Sequence, residues 1–305
     1  MRRNARLYIV AVLGGGALLM LALAMPAAGD RPAQPSAPLT IVFTPTAYYY
    51  LPLVERQPTP TPTPVCPPTS TNVYVGGYAF QFDKDNPVRP AYNHADKNIE
   101  LRSYAPLTDS SQQPVLVDYG PPGDETQPPQ FATLFAPYRV PTFSTLYRVY
   151  NWNWAPSPDP GTRGALMTYP VVTALGMATT RWEPLYVPVS GYDIGSGIEV
   201  IVLYADDDTL ALRYTREDSS GAPGYTVHID NICTDPNLLA LYNQLDDPAG
   251  PRYVYPNPSY DLPNLPAGQP LGVARNTEIV VAIVDTGAFL DSRSMNDWWQ
   301  IRPGY

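Results

Sequence analysis

Along residues 165–305 apolar and polar positions fall into short runs, many alternating with the period of two that marks a strand with one face turned inward. Ile198-Glu199-Val200-Ile201-Val202-Leu203-Tyr204 is the strongest of them. Asp206-Asp207-Asp208 then makes a turn, and residues 210–215 return as a second strand. Tyr225-Thr226-Val227-His228-Ile229 alternates as a third. Residues 279–284 are apolar throughout, the pattern of a strand buried on both faces. Residues 171–177 and 185–189 add two short apolar runs. One segment follows the other period. Asp235 stands as an N-cap and Pro236 at the first helical position, and Leu238, Leu239, Tyr242 and Leu245 recur at helical spacing. This predicts a single helix of about three turns.

Residues 73–164 are less regular. Tyr74-Val75-Gly76-Gly77-Tyr78-Ala79-Phe80 reads as strand, turn, strand, and residues 115–118 and 146–154 as further strands. In the last of these, Tyr150, Trp152 and Trp154 share one face and Asn151 and Asn153 the other. Pro121, Pro122, Pro128 and Pro129 mark long loops. The expected fold is mainly β: a β-barrel or sandwich with one short helix over residues 165–305, preceded by an irregular β-leaning half. Composition agrees, since 38 Pro and 21 Gly in 305 residues argue against a helical bundle.

The N-terminus has a different texture. Arg2, Arg3 and Arg6 precede an uncharged apolar run over residues 7–25, followed by the small residues of Ala27-Ala28-Gly29. Residues 1–29 therefore read as an export signal, either cleaved or kept as an anchor. In both cases the basic residues hold the start of the chain inside and put the rest outside. Residues 30–72 are a Thr/Pro-rich linker, with Thr59-Pro60-Thr61-Pro62-Thr63-Pro64 in strict alternation, a sequence that extends as polyproline II and buries no core. Ahead of it, residues 47–54 (Ala-Tyr-Tyr-Tyr-Leu-Pro-Leu-Val) are either a docking segment or a β-prone stretch without a partner. This organisation resembles that of Thr-Pro-stalked bacterial cell-surface proteins. The resemblance implies an extracellular or cell-surface location, with membrane contact only through the N-terminal segment. A net charge of −9, with two lysines in the whole chain, excludes the basic surface that nucleic-acid binding needs.

Export changes the reading of the two cysteines. Thiols outside the cell tend to pair, so Cys66 and Cys233 are candidates for a bridge that ties the start of the folded part to its core. The alternatives are two separate buried thiols or an intermolecular link through Cys66. The sharpest candidate for chemistry is Ile283-Val284-Asp285-Thr286-Gly287-Ala288, which has the form of an aspartic-protease motif. Such a dyad needs a second Asp, and Asp193-Ile194-Gly195-Ser196, the nearest lookalike, does not follow an apolar strand. The structural reading makes Asp285 the last residue of a strand and Thr286-Gly287 a turn, with Arg275 or Arg293 available to pair with the carboxylate. His228 and Cys233 supply too few ligands for zinc, and His94 is the only other histidine. Asp83-Lys84-Asp85-Asn86 opens like a calcium loop, but Pro87 and Val88 break it. Ser190 and Ser196 lack a nucleophile elbow, and no phosphate loop or dinucleotide fingerprint is present. No metal and no cofactor are expected.

The C-terminal segment from Leu185 also resembles the lysostaphin-type murein peptidases. Tyr186-Val187-Pro188 with Gly191, Leu239-Ala240-Leu241-Tyr242, and Ala267-Gly268-Gln269-Pro270-Leu271-Gly272 stand where that family has its opening turn, its Tyr-Ala-His-Leu stretch and its Gly-Gln turn. The family's His-x-x-x-Asp is missing, and Val281-Ala282-Ile283 replaces its His-x-His. The resemblance thus implies a β-barrel and a binding surface without the zinc. Taken together, the expected function is that of an exported, stalk-tethered module without catalytic activity. It would contact a cell-wall polymer or a surface protein through Trp152, Trp154, Trp298 and Trp299, since aromatic rings stack on sugars and anchor interfaces. The alternative is a divergent secreted hydrolase, murein peptidase-like or of the aspartic type with Asp285.

Overall fold

The structure is a computed structural model that describes residues 65–78, 91–124, 128–155, 161–215, 223–245 and 261–300. The chain divides into two compact units, Met1–Thr59 and Pro60–Tyr305, and every described residue belongs to the second. The export signal, residues 47–54, the Thr-Pro alternation, Phe80 and the Asp83–Asn86 segment lie outside the described residues.

Fourteen strands are described: β1 (Val75–Tyr78), β2 (Tyr104–Pro106), β3 (Phe143–Asn153), β4 (Thr162–Leu166), β5 (Ala174–Ala178), β6 (Pro184–Tyr186), β7 (Val200–Ala205), β8 (Thr209–Arg213), β9 (Tyr225–Asp230), β10 (Ile232–Thr234), β11 (Asp261–Leu265), β12 (Pro270–Ala274), β13 (Glu278–Asp285) and β14 (Ala288–Leu290). Three helices accompany them: α1 (Ile99–Arg102), α2 (Pro236–Leu245) and α3 (Met295–Trp298). The protein is mainly β, as its pattern predicts. Eleven strands form one sheet in the order β1-β11-β7-β8-β9-β13-β5-β3-β2, with β14 added to β13 and β4 to β3. A second sheet has the order β10-β12-β6. All pairings between these strands are antiparallel. The large sheet stays open and does not close into a barrel.

β13 lies at the centre of the large sheet and is buried on both faces. Ile279, Val281 and Ile283 point into the main core with Val227 and Ile229 of β9 and Leu175 and Met177 of β5. Val280, Ala282 and Val284 point to a smaller core, closed by Ile99 of α1 and by Phe289. The three-stranded sheet adds Ile232, Leu185 and Leu271 to the main core, so both sheets share it. α2 forms as the sequence predicts. Asp235 Oδ1 accepts the Asn237 N–H at 2.9 Å, and Leu238 and Tyr242 are buried, the latter donating its hydroxyl to Leu203 O at 3.2 Å.

Two expectations for residues 73–164 are corrected. Gly76-Gly77 is not a turn, because β1 runs straight through both and pairs with β11 from Val75 to Tyr78. The glycines serve close packing: a Cβ on Gly77 would lie 1.9 Å from Asn264 Nδ2, and one on Gly76 2.7 Å from a Leu245 methyl. Residues 115–118 form no strand either. Val117 makes one isolated parallel bridge to Ser294.

Cys66 and Cys233 are bonded, with Cα atoms 5.4 Å apart. The same joint is held by Asp235, whose Oδ2 accepts Ser70 Oγ at 2.6 Å and Asn72 Nδ2 at 2.7 Å. Tyr74 Oη donates to Pro270 O at 3.0 Å, and Gln269 Nε2 to Val73 O at 2.9 Å.

Candidate functional site

The cleft of interest forms where β13 ends. Asp285 pairs with Ala288, and Thr286 and Gly287 have φ of 49° and 80°, so the two strands are joined by a two-residue turn with both central residues left-handed. Asp285 Oδ1 accepts the Thr286 hydroxyl at 3.0 Å and the Gly224 N–H at 3.3 Å. The expected partners are engaged elsewhere: Arg275 pairs with Asp208, and Arg293 with Asp291.

A cleft of about 540 Å³ opens beside this hairpin. Tyr225, Phe289 and Trp298, all largely buried, form its inner wall, and Tyr119 and Tyr169 stand at its exposed edge. Asp285, Asp291 and Asp297 bring three carboxylates to it. Long-range pairing assembles these residues. The segment around Val117 is pinned to the C-terminal loop by Val117 N–H to Arg293 O at 3.0 Å and Met295 N–H to Val117 O at 2.9 Å. That places Tyr119 so that its hydroxyl donates to Asp291 Oδ2 at 2.7 Å. Burial and this carboxylate push the Tyr119 pKa up to about 12. Asp297 accepts the Gly123 N–H at 2.8 Å and the Ser294 hydroxyl. Burial raises the Tyr225 pKa further, with Asp124, Asp285 and Asp297 acting in the same direction.

The predicted tryptophans divide. Trp299 is a core residue, 5 % exposed, packed on Phe131 and Phe143 with its Nε1 donating to Ser292 O at 2.9 Å. Trp298 is 3 % exposed and edge-on to Tyr225 at 5.4 Å, but it lines the cleft. Both pack into the main core, where α3 lies against Phe131. Trp152 and Trp154 are half-buried and edge-to-face at 6.3 Å, with Trp154 tilted against His94 at 5.3 Å. They do not line the cleft.

Asp193 sits on an exposed loop, holds its own Gly195 N–H at 2.7 Å, and does not reach Asp285's cleft. Cys233 is engaged in the disulfide. His228 lies mid-sheet between Ala211 and Ala282, stacked on Phe289. Burial and the nearby Arg102 push its pKa down to about 3, so the ring is neutral.

The structure adds an acidic cluster that spacing did not reveal. Ligand atoms of Glu100, Asp208 and Asp230 lie within 4.8 Å of one another. Arg275 pairs with Asp208, and Tyr104 donates to Asp230. Burial, then Asp206, Asp208 and Asp230, push the Glu100 pKa up to about 7. Three positions drawn from α1, the β7–β8 turn and the end of β9 carry no common local signature, so only the folded sheet brings them together.

Among the described residues no helix is long and apolar enough to cross a membrane. Comparison of the chain with protein families, with characterised proteins and with solved structures returns no match.

Proposed function

We propose that this chain is an exported, stalk-tethered extracellular module that binds a cell-wall polymer through the cleft beside the β13–β14 hairpin and catalyses no reaction on it. The observation that supports this reading is the lining of the cleft. Five aromatic residues and three aspartates line about 540 Å³, the combination of apolar surface and fixed acceptors that orients a polar ligand. Asp285, the residue on which a hydrolase would depend, has its Oδ1 engaged by the turn hydroxyl and the Gly224 N–H.

The test is retention of the purified exported chain on isolated cell-wall sacculi, with Tyr169→Ala and Tyr119→Ala as comparison. Both rings are exposed, so their loss spares the core. Retention that falls several-fold in the variants supports the reading. Equal retention of all three proteins removes the cleft from it. Release of soluble wall fragments by the wild type replaces the binding module with a hydrolase.

A further inference from the structure

The cleft also has a charge preference, and its three carboxylates do not contribute equally. Asp291 is matched by Arg293, whose Nε reaches Oδ1 at 3.0 Å and Nη2 reaches Oδ2 at 2.7 Å. Among the described residues Asp297 receives only neutral donors, the Gly123 N–H and the Ser294 hydroxyl. Asp285 likewise receives neutral donors, both on Oδ1, and among the described residues nothing hydrogen-bonds its Oδ2. Three further guanidiniums border the lining: Arg102, paired with Asp96, lies over the Phe289 ring at 5.3 Å, Arg148 Nε donates to Val171 O at 3.0 Å, and on the far side of the Gly224 peptide stands Arg213. Its guanidinium donates to Gly224 O at 2.7 Å and Pro223 O at 2.8 Å. Asp291 and Arg293 are matched to each other, whereas among the described residues no cation hydrogen-bonds Asp285 or Asp297.

Which ligand this arrangement suits follows from elementary electrostatics. Aromatic rings have electron-rich faces and attract cations, most strongly where water is partly excluded. Carboxylates that no cation pairs attract the same ligands. An anion is repelled by both. A neutral polyol can donate to Asp285 but relieves no charge. We infer that the cleft recognises a protonated alkylamine, its N–H groups directed to Asp285 Oδ2 and its methylenes packed on Tyr225 and Trp298. This rests on the binding role proposed for the cleft. It narrows the partner to a polymer that displays primary ammonium groups.

The test uses the full exported chain and isothermal titration with n-butylammonium chloride, with butan-1-ol as the neutral isostere. Butylammonium should bind about tenfold or more tightly than butan-1-ol at low salt, and it should weaken as salt is raised. Asp285→Asn, which preserves shape, and Tyr169→Ala, at a position 85 % exposed, should each weaken butylammonium about fivefold or more. Glu100→Gln, in the separate acidic cluster, should leave it unchanged. Equal affinity for butan-1-ol overturns the inference, as does loss of affinity in Glu100→Gln as large as in Asp285→Asn. Competition on sacculi separates this from the broader proposal. If butylammonium fails to displace a chain that Tyr169→Ala still releases, the amine reading fails and the binding role stands. If butylammonium binds a chain that sacculi do not retain, the amine site stands and the wall partner falls.

Discussion

Asp285 shows how one side chain serves local geometry and still lines a cleft. Its Oδ1 braces the turn through the Thr286 hydroxyl and the Gly224 N–H, while among the described residues Oδ2 accepts no hydrogen bond. Asparagine keeps the size and one acceptor. Asp285→Asn should therefore fold and lose only about 1 kcal/mol, the worth of one charge-assisted bond reduced to a neutral one, read from urea denaturation. Peptide cleavage in mild acid by the wild type, absent in the Asn variant, would make the residue catalytic instead. Glu100 offers a second test at this scale. Its pKa rises from 4.5 to about 7 on folding, so between those values the folded state keeps a proton that the unfolded state has released. Stability from this group is present below about pH 4.5 and is lost as pH rises through 7. His228 has the opposite sign, because its pKa falls from 6.5 to about 3 and its contribution is lost as pH drops below 6.5. The two oppose each other over pH 4.5–6.5, so wild-type stability alone does not isolate either. Glu100→Gln removes one of them. Its Tm should exceed the wild-type value at pH 8, and the gap should close toward pH 5. A gap that does not change with pH would show that the cluster holds no proton near neutrality.

At the scale of elements, the β13–β14 hairpin has a residue poorly matched to its backbone. Thr286 has φ of 49°, a left-handed conformation that β-branched residues resist, followed by Gly287 at 80°. Asn-Gly is the preferred pair for such a turn. Thr286→Asn should raise stability by about 0.5–1 kcal/mol, seen as a higher urea midpoint at unchanged slope. A lower midpoint would mean that the Thr286 hydroxyl on Asp285 outweighs the strain. The hairpin also shows what was legible in the sequence. β13, β7, β8, β9 and α2 each announce themselves through local period, turn residues or caps. β1 was misread because Gly-Gly signals a turn when only neighbours in the chain are considered. The demand came from Asn264 and Leu245, far away in sequence. β11 was invisible because Pro263 interrupts its pattern, yet it pairs on both sides, with β1 and β7. The cleft follows the same division. Asp285 and its turn stood out as a motif, whereas Tyr119, Tyr169 and Asp291 lie on loops and Asp297 on the single turn of α3, and their local sequence says nothing about where long-range pairing sets them.

At the scale of the molecule, the joint between residues 66–74 and the rest of their unit is the feature with the largest consequence. Cys66 and Cys233 are 167 positions apart, so the bond between them closes a loop that spans most of the folded unit. On the chain-entropy argument, closing so long a loop removes much of the freedom of the unfolded chain and stabilises by up to about 5 kcal/mol. The effect is larger than any single contact discussed above, and it acts through the unfolded state, which no count of native contacts would register. The non-covalent ties of the joint act differently. Asp235 with Ser70 and Asn72, and Pro270 O with Tyr74, fix residues 70–74 onto β10, α2 and β12 in the native state. A Cys66→Ser/Cys233→Ser double variant should keep these ties and the native sheet while losing several kcal/mol on urea unfolding. Asp235→Ala should do the reverse: a smaller global loss, with faster amide exchange concentrated at residues 70–78 and at the start of α2, where its cap is removed. The two changes thus separate an unfolded-state constraint from a native clasp. If the cysteine variant instead freed residues 70–78 to exchange while the unfolding midpoint stayed near that of the wild type, the disulfide would be part of the clasp and the chain-entropy account would fail.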